Sequence, residues 1–426
     1  MKPDACHLSE IAEIFSGFAF KSGDLTRSGI PVIKIANIQG KRVLGTCADH
    51  LPPELFTSRL ERYVLQKRDC LVAMTGAGSV GKVGKMWDLH DRFLVNQRVG
   101  IVRPNESRCD PNYLFHVLSL ERYEKILYGL GLGAGQPNVS AKEIGSLRIP
   151  LPDVTNQRKI ASVLSAYDNL IENNLRRIKI LEEMAQTLYR EWFVKFRFPG
   201  HEKTRFVDSP MGEVPEGWEV KKLGELTHVI TKGTTPTTFG RPFTEEGIHF
   251  VKVESVDNQG AIREEKLAYI DEETHALLKR SQLAKNDILY SIAGAIGRVA
   301  LVPERILPAN TNQALAIIRP SDPLLVPYLY LSIRSTEFVN FSLGRVVQTA
   351  QANVSLSVLS AAPIVVPAVG LLQSLEGVVG PMLGQIDCLL TKSSVLRRTR
   401  DLLLPRLISG ELDVSDLDIP TDQEPA

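Results

Sequence analysis

Apolar residues recur at alternating spacings of four and three along two long stretches of the chain. In the first, Ile160, Leu164, Tyr167, Ile171, Asn174, Ile178, Leu181, Ala185, Leu188 and Trp192 fall on one helix face. In the second, Leu375, Val379, Met382, Ile386, Leu389, Ser393, Leu396, Arg400, Leu403 and Leu407 keep the same rhythm. This spacing predicts two long helices paired in an intramolecular coiled coil, with the face of an ordinary helical bundle as the alternative. Each seam holds one polar position, Asn174 and Ser393, of the kind that costs stability and fixes register. Pro381 is expected to kink or delay the second helix, and Pro405 to disturb its last turn.

Outside these stretches the apolar runs are short, β-branched and bounded by Gly and Pro, which predicts strands. Residues 110–127 carry a helical pattern, and Ser140 with Glu143 forms a capping box before the strand LRIPLP. The strand-rich parts are written twice, about 215 to 218 residues apart. IPVIKIANI at 30 pairs with IHFVKVESV at 248, LVNQRVGIVRP with NTNQALAIIRP, and QPNVS at 136 with QANVS at 351. The expected fold is mixed α/β: globules at 1–152 and 217–367, long helices at 153–198 and 368–412, an exposed linker at 199–216, and an acidic, disordered tail at 413–426.

The bulk numbers add limits rather than a function. A hydrophobic fraction of 43% and a charged fraction of 23% over 426 residues are those of a globular protein with two or more domains. No eighteen-residue apolar run and no signal-peptide pattern occur, so a cytoplasmic location is expected. The five cysteines include no C-x-x-C pair, which argues against a disulfide framework or a cysteine zinc site. With a formal net charge of +1, any DNA binding must rest on local features.

TGAGSVGKVG at 75–84 fits both G-x-G-x-x-G and the G-x-x-x-x-G-K core of a phosphate loop. A phosphate loop needs a helix behind it and a Ser or Thr after the Lys, whereas Lys82 is followed by Val83 and a β-type run. The duplicate, IAGAIGRVA at 292–300, keeps Gly294, Gly297 and Arg298 but fits neither motif. The stretch therefore reads as a glycine turn between strands. Its tip cation, Lys82 or Arg298, is either a DNA-phosphate contact or a solvated residue.

The segments SGFAFKSGD at 16, QPNVSAKEIGSLRIPLP at 136, EEMAQTLYREWFVKFRFPG at 182, MGEVPEGWEVKKLGEL at 211 and LLLPRLISGELDV at 402 resemble the specificity subunit of type I restriction-modification systems. The resemblance spans essentially the whole chain. It implies that 1–152 and 217–367 are target-recognition domains spaced by an antiparallel coiled coil. It further implies a cytoplasmic phage-defence complex with double-stranded DNA, two modification (methyltransferase) subunits and restriction subunits. This chain would hold no cofactor; its partners would use S-adenosylmethionine, ATP and Mg. Gly377, Gly380 and Pro381 depart from the cleaner helix usual in the family.

A helix of about forty residues is roughly 60 Å long, more than the ~34 Å between successive major grooves on one face of DNA. Two different recognition domains on such a spacer should read an asymmetric, split site. Residues identical in both copies (Asn96 and Asn312, Gln97 and Gln313, Asn138 and Asn353) cannot distinguish two half-sites and are expected to hold the scaffold. Base readers are sought among polar loop residues that differ. These are Lys21, Ser22, Lys41, Arg42 and Arg98 in the first domain, and Lys232, Thr234, Thr235, Arg241 and Arg263 in the second, beside the tip residues Lys82 and Arg298. No catalytic constellation or metal-ligand motif is found, so a non-catalytic subunit is expected. The alternatives are a stand-alone DNA-binding regulator or scaffold, and a nucleotide-binding enzyme using the Gly76–Lys82 loop.

Overall fold

The computed structural model describes residues 4–421 except 88, 134, 258, 346 and 349–351. The chain forms two compact units. One comprises everything up to Leu175 together with everything from Thr391 onward; the other is Arg176–Leu390.

The first unit is built on a four-stranded antiparallel sheet in the order Ala12–Ser16, Val99–Pro104, Cys70–Ala73, Val83–Gly84. Every residue of Cys70–Ala73 and Val99–Pro104 is buried, as expected of central strands rich in Val, Ile and Leu. Beside it lies a three-stranded sheet, His50–Leu51, Ile30–Ile33, Leu94–Val95, with one antiparallel and one parallel pairing. Helices Pro111–Leu118 and Glu121–Leu130 cover one face. Asp110 caps the first by accepting from the amides of Asn112 and Tyr113, with Pro111 at the first helical position. Ser140 and Glu143 form the capping box that starts Ala141–Gly145.

The second unit repeats this plan. Its main sheet runs Thr227–Lys232, Leu315–Pro320, Ile288–Ser291, Val299–Leu301, and its smaller sheet Ala268–Ile270, Ile248–Val251, Ala309–Thr311. A duplicated ion pair joins two strands of each main sheet. Asp69 receives Nε and a terminal nitrogen of Arg103 at 2.8 and 2.7 Å, and Asp287 receives the same two groups of Arg319 at 2.7 Å each. Each carboxylate also caps the turn before its strand, accepting from the amide of Gln66 or Ala284. Burying a carboxylate is tolerated because its lone pairs are taken up in this way.

The long helices are Val154–Tyr189 and Val369–Ile408. Within the first unit they run antiparallel: Ile160, Ala161 and Leu164 share a core with Leu404, Leu407 and Ile408, and one turn on Asp168 meets Arg400. Asn174 and Ser393 are both buried there. In the second unit Ala185 shares a core with Leu372, Leu375 and Val379. Gln157, fully buried, ties the first helix to the domain by accepting from the Asp110 amide and donating to the carbonyls of Arg108 and Pro152.

Several expectations need correction. The second helix starts at Val369 and remains helical through both Pro381 and Pro405, because side-chain burial on its neighbours outweighs one lost hydrogen bond at each proline. The seam at its end passes through Leu404 rather than Leu403, which is only partly buried. The first α-helix ends at Tyr189 and closes in a π turn, Arg190–Val194, which drives Phe193 between Trp218 and Tyr328. Part of the linker is a hairpin, Phe206–Ser209 with Gly212–Pro215, and Val214 is buried.

The tail also folds further than expected. Val414 is buried and Ile419 packs on the core, while Lys159 donates to Ser415 O at 2.7 Å and Ser162 to Pro420 O at 2.6 Å. Two apolar anchors in an acidic, proline-bearing stretch suffice to order 413–421; residues 422–426 lie outside the described part.

Candidate nucleic-acid interface

The first strand of each main sheet ends in a glycine pressed against a backbone turn. A Cβ on Gly17 would lie 2.3 Å from Val95 O and 2.4 Å from Asn96 O; on Gly233 it would lie 2.0 Å from Thr311 O and 2.5 Å from Asn312 O. Only glycine permits this approach. The loop after Gly17 is locked to the 96–98 turn by Phe18 N to Val95 O (2.8 Å) and Gln97 N to Phe18 O (2.9 Å). In the second unit Thr234 N donates to Thr311 O at 3.1 Å.

These locked loops collect part of the expected DNA readers. Lys21, Ser22 and Arg98 are exposed on or beside the first one, as is Gln97, expected to hold the scaffold. Beneath them Phe18 packs edge-on to Phe20 and Tyr63, and the Arg59 guanidinium lies 5.6 Å from the Phe18 ring centroid. Arg92 is held similarly, 4.8 Å from the centroid of Phe56. Guanidinium groups resting on rings keep their donors free for phosphate or base edges. In the second unit Lys232 is exposed, the Thr235 hydroxyl donates to the Gln313 side chain, and Arg280 approaches the Thr234 hydroxyl at 3.4 Å.

Other candidates are engaged within the protein. Arg42 pairs with Glu172, and Lys41 lies 3.4 Å from Asp401. Arg241 binds Glu273 at 3.1 Å and Arg263 binds Asp257 at 2.8 Å. The repeat-identical residues behave differently from one another. Asn96 and Asn312 accept from backbone amides two residues on, at 3.2 Å each, whereas Gln97 is exposed and Gln313 is committed to Thr235.

The glycine loop joins Cys70–Ala73 to Val83–Gly84 as an antiparallel hairpin, and no helix follows it. Gly76 and Gly81 have φ of 107° and 84°, and their counterparts Gly294 and Gly297 have 72° and 91°. A Cβ on Gly81 would meet Glu124 O at 2.8 Å, so this glycine lets the hairpin seat on helix Glu121–Leu130. The tip cations diverge. Lys82 is exposed, but Arg298 turns inward and donates to Val253 O and Val256 O at 3.2 and 2.9 Å. Of the two expected phosphate contacts, Arg298 is thus a strut between loops.

Sequence reasoning missed Arg59, Arg92 and Arg280. Arg280 could have been found, because it superposes on Arg62 at the repeat offset; Arg59 and Arg92 lack any periodic signal. Among the described residues no group of three or more His, Cys, Asp or Glu could hold a metal ion, and no helix is long and apolar enough to cross a membrane. Burial pushes the Cys70 and Cys109 thiols up to about 12, which leaves them unreactive.

The family model for the type I restriction modification DNA specificity domain matches twice, at residues 5–183 and 215–370. The type I restriction enzyme MjaIX specificity subunit of Methanocaldococcus jannaschii is 26% identical over 381 residues, covering 85% of this chain and 84% of that protein. The EcoBI specificity subunit of Escherichia coli is 24% identical over 380 residues, covering 85% and 75%. The crystal structure of a type I S subunit from M. genitalium shares the fold, with a TM-score of 0.56 and 15% identity over 96% of this chain and 99% of that one.

Proposed function

The chain belongs to the type I restriction modification DNA specificity family, and from that premise we propose that each of its two domains reads one half of an asymmetric, two-part DNA site. It is the non-catalytic, sequence-reading subunit of its system. The observation that carries the reading is a duplicated scaffold with divergent rims. Gly17 and Gly233 fix equivalent loops, yet one loop presents Lys21 and Ser22 and the other Thr234 and Thr235. Identical frames with different polar edges are what two different half-sites require, because phosphate contacts position a protein and base-edge contacts specify sequence.

In this reading the long helices space the two domains. Two modification subunits would supply adenine methylation from S-adenosylmethionine, and restriction subunits would supply ATP- and Mg-dependent cleavage. The complex works on cytoplasmic DNA. The deciding experiment is the adenine methylation pattern of the host genome with and without this gene. Loss of one gapped, asymmetric motif is expected, and exchange of residues 1–152 for those of a relative should change one half of the motif only. An unchanged motif after deletion refutes the proposal.

A further inference from the structure

The hairpin Ile38–Gln39 with Arg42–Val43 turns through Gly40 and Lys41, whose φ values are 57° and 67°. Two successive positive φ values define a tight turn that matches strand twist and fixes where the tip points. Its two cations do not face the aromatic-backed rim at Phe18. They meet the long helices: Arg42 the carboxylate of Glu172, Lys41 that of Asp401 at 3.4 Å. Asp401 also receives Arg400 at 2.9 Å, and Arg400 reaches across to Asp168 on the opposite helix. Arg400 and Asp168 expose 13% and 6% of their side chains, so this inner pair is shielded from salt while the outer two are not. The second unit builds a comparable link from different residues, Arg305 to Asp387 at 3.1 Å and to Glu264 at 3.1 Å.

We propose that Lys41 and Arg42 are positioning residues: an ionic clamp that fixes the first recognition domain on the spacer helices and so sets the tolerated gap between half-sites, without reading bases. This rests on the DNA-reading function proposed above. The inner Asp168–Arg400 pair holds the two helices in register where the clamp grips, and His116, 3.7 Å from the second Asp168 oxygen, closes the far side. A rigid hairpin alone cannot orient a domain. Two charge contacts on two helices, arising from adjacent residues of one tip, resist both sliding and rotation.

The test uses the full chain assembled with its modification subunits and duplexes carrying both half-sites, with the native gap and with gaps altered by one or two base pairs. Glu172→Arg should leave the preferred bases unchanged but weaken discrimination against a one-base-pair gap error by about fivefold, the size expected for one partly exposed ion pair. Arg42→Glu should do the same, and the double variant with both changes should restore discrimination. Altered base preference in Arg42→Glu that the double variant does not rescue would make Arg42 a base reader and overturn the clamp. Unchanged gap discrimination in both single variants would also overturn it.

If the unmodified complex shows no sequence preference, the functional reading fails but the clamp can still be judged. Amide exchange across residues 38–44 should quicken about fivefold in each single variant and return in the swap. Exchange unchanged in all three variants rejects the clamp.

Discussion

Replacing Gly17 with alanine should blind the protein to one half-site while sparing the other. The added Cβ would lie 2.3 Å from Val95 O and 2.4 Å from Asn96 O, whereas carbon and carbonyl oxygen settle at roughly 3.3 Å or more. The loop must therefore retreat by about 1 Å from a turn built of backbone, which has no rotamer to yield. Overpacking of this kind costs about 1–3 kcal/mol, and the Phe18 N to Val95 O and Gln97 N to Phe18 O bonds stretch with it. Lys21, Ser22 and Arg98 move off their positions, and a lost bidentate base contact is worth about 1–3 kcal/mol. Discrimination at the first half-site should fall roughly ten- to a hundredfold. Gly233→Ala, with its Cβ 2.0 Å from Thr311 O, should do the same at the second half-site alone. The assay is equilibrium binding to duplexes scrambled in one half at a time. Full discrimination in Gly17→Ala at both halves would refute the placement of the reading loop. Equal loss at both halves would point to general unfolding instead.

Asp69→Ala leaves Arg103, only 10% exposed, without its partner, and should cost about 3–5 kcal/mol in denaturant unfolding. Asp287→Ala should cost less, because Arg319 is 36% exposed and can turn to water. Lys82→Ala should lower DNA affinity evenly across sequences and reduce the salt slope by about one with no loss of stability. Arg298→Ala should cost about 1–2 kcal/mol through its two lost carbonyl contacts. Glu182 in the second unit has its carboxyl raised to about 7, chiefly by burial, with Arg334 opposing and Asp257 and Glu183 adding. A raised carboxyl favours the fold most below its ordinary value near 4.5, and that advantage is lost as pH climbs through 7. Glu182→Gln should therefore gain about 1 kcal/mol above pH 7, reduced from the full shift by solvent screening, and nothing below pH 5. A Tm difference independent of pH would count against this.

The duplication and both long helices were legible because they rest on periodicity, which survives in any sequence that buries a stripe or a strand. The persistence of helix through Pro381 was not legible. Local propensity weighs a proline at about 3 kcal/mol, but the neighbouring burial of Leu375 and Val379 belongs to tertiary structure. The ordered tail was hidden for the same reason: Val414 and Ile419 are anchors only because a core lies beneath them. Among the candidate readers, sequence marked polar positions that differ between the copies but could not tell an exposed cation from a paired one. Arg42 and Arg263 are as basic as Lys21 on paper, and only the fold brings Glu172 and Asp257 to them.

That distinction bears on how such a protein can change its target. The elements duplicated residue for residue are those whose loss would break the frame: Gly17 and Gly233, Asp69 and Asp287, Arg103 and Arg319, Gly81 and Gly297. Each is fixed by a close backbone approach, a left-handed backbone or a buried carboxylate, and none of these properties depends on what the rim reads. The rim depends on no such constraint. Lys21 and Ser22 sit on a loop, and Arg98 on the turn locked against it, with backbones joined through Phe18 and Gln97 and side chains exposed. Substitution there costs little stability, since exposed polar changes fall within about 0.5 kcal/mol, and under the proposed function each would exchange a donor or acceptor offered to a base edge. A frame held by glycines and buried ion pairs thus leaves the rim free to vary.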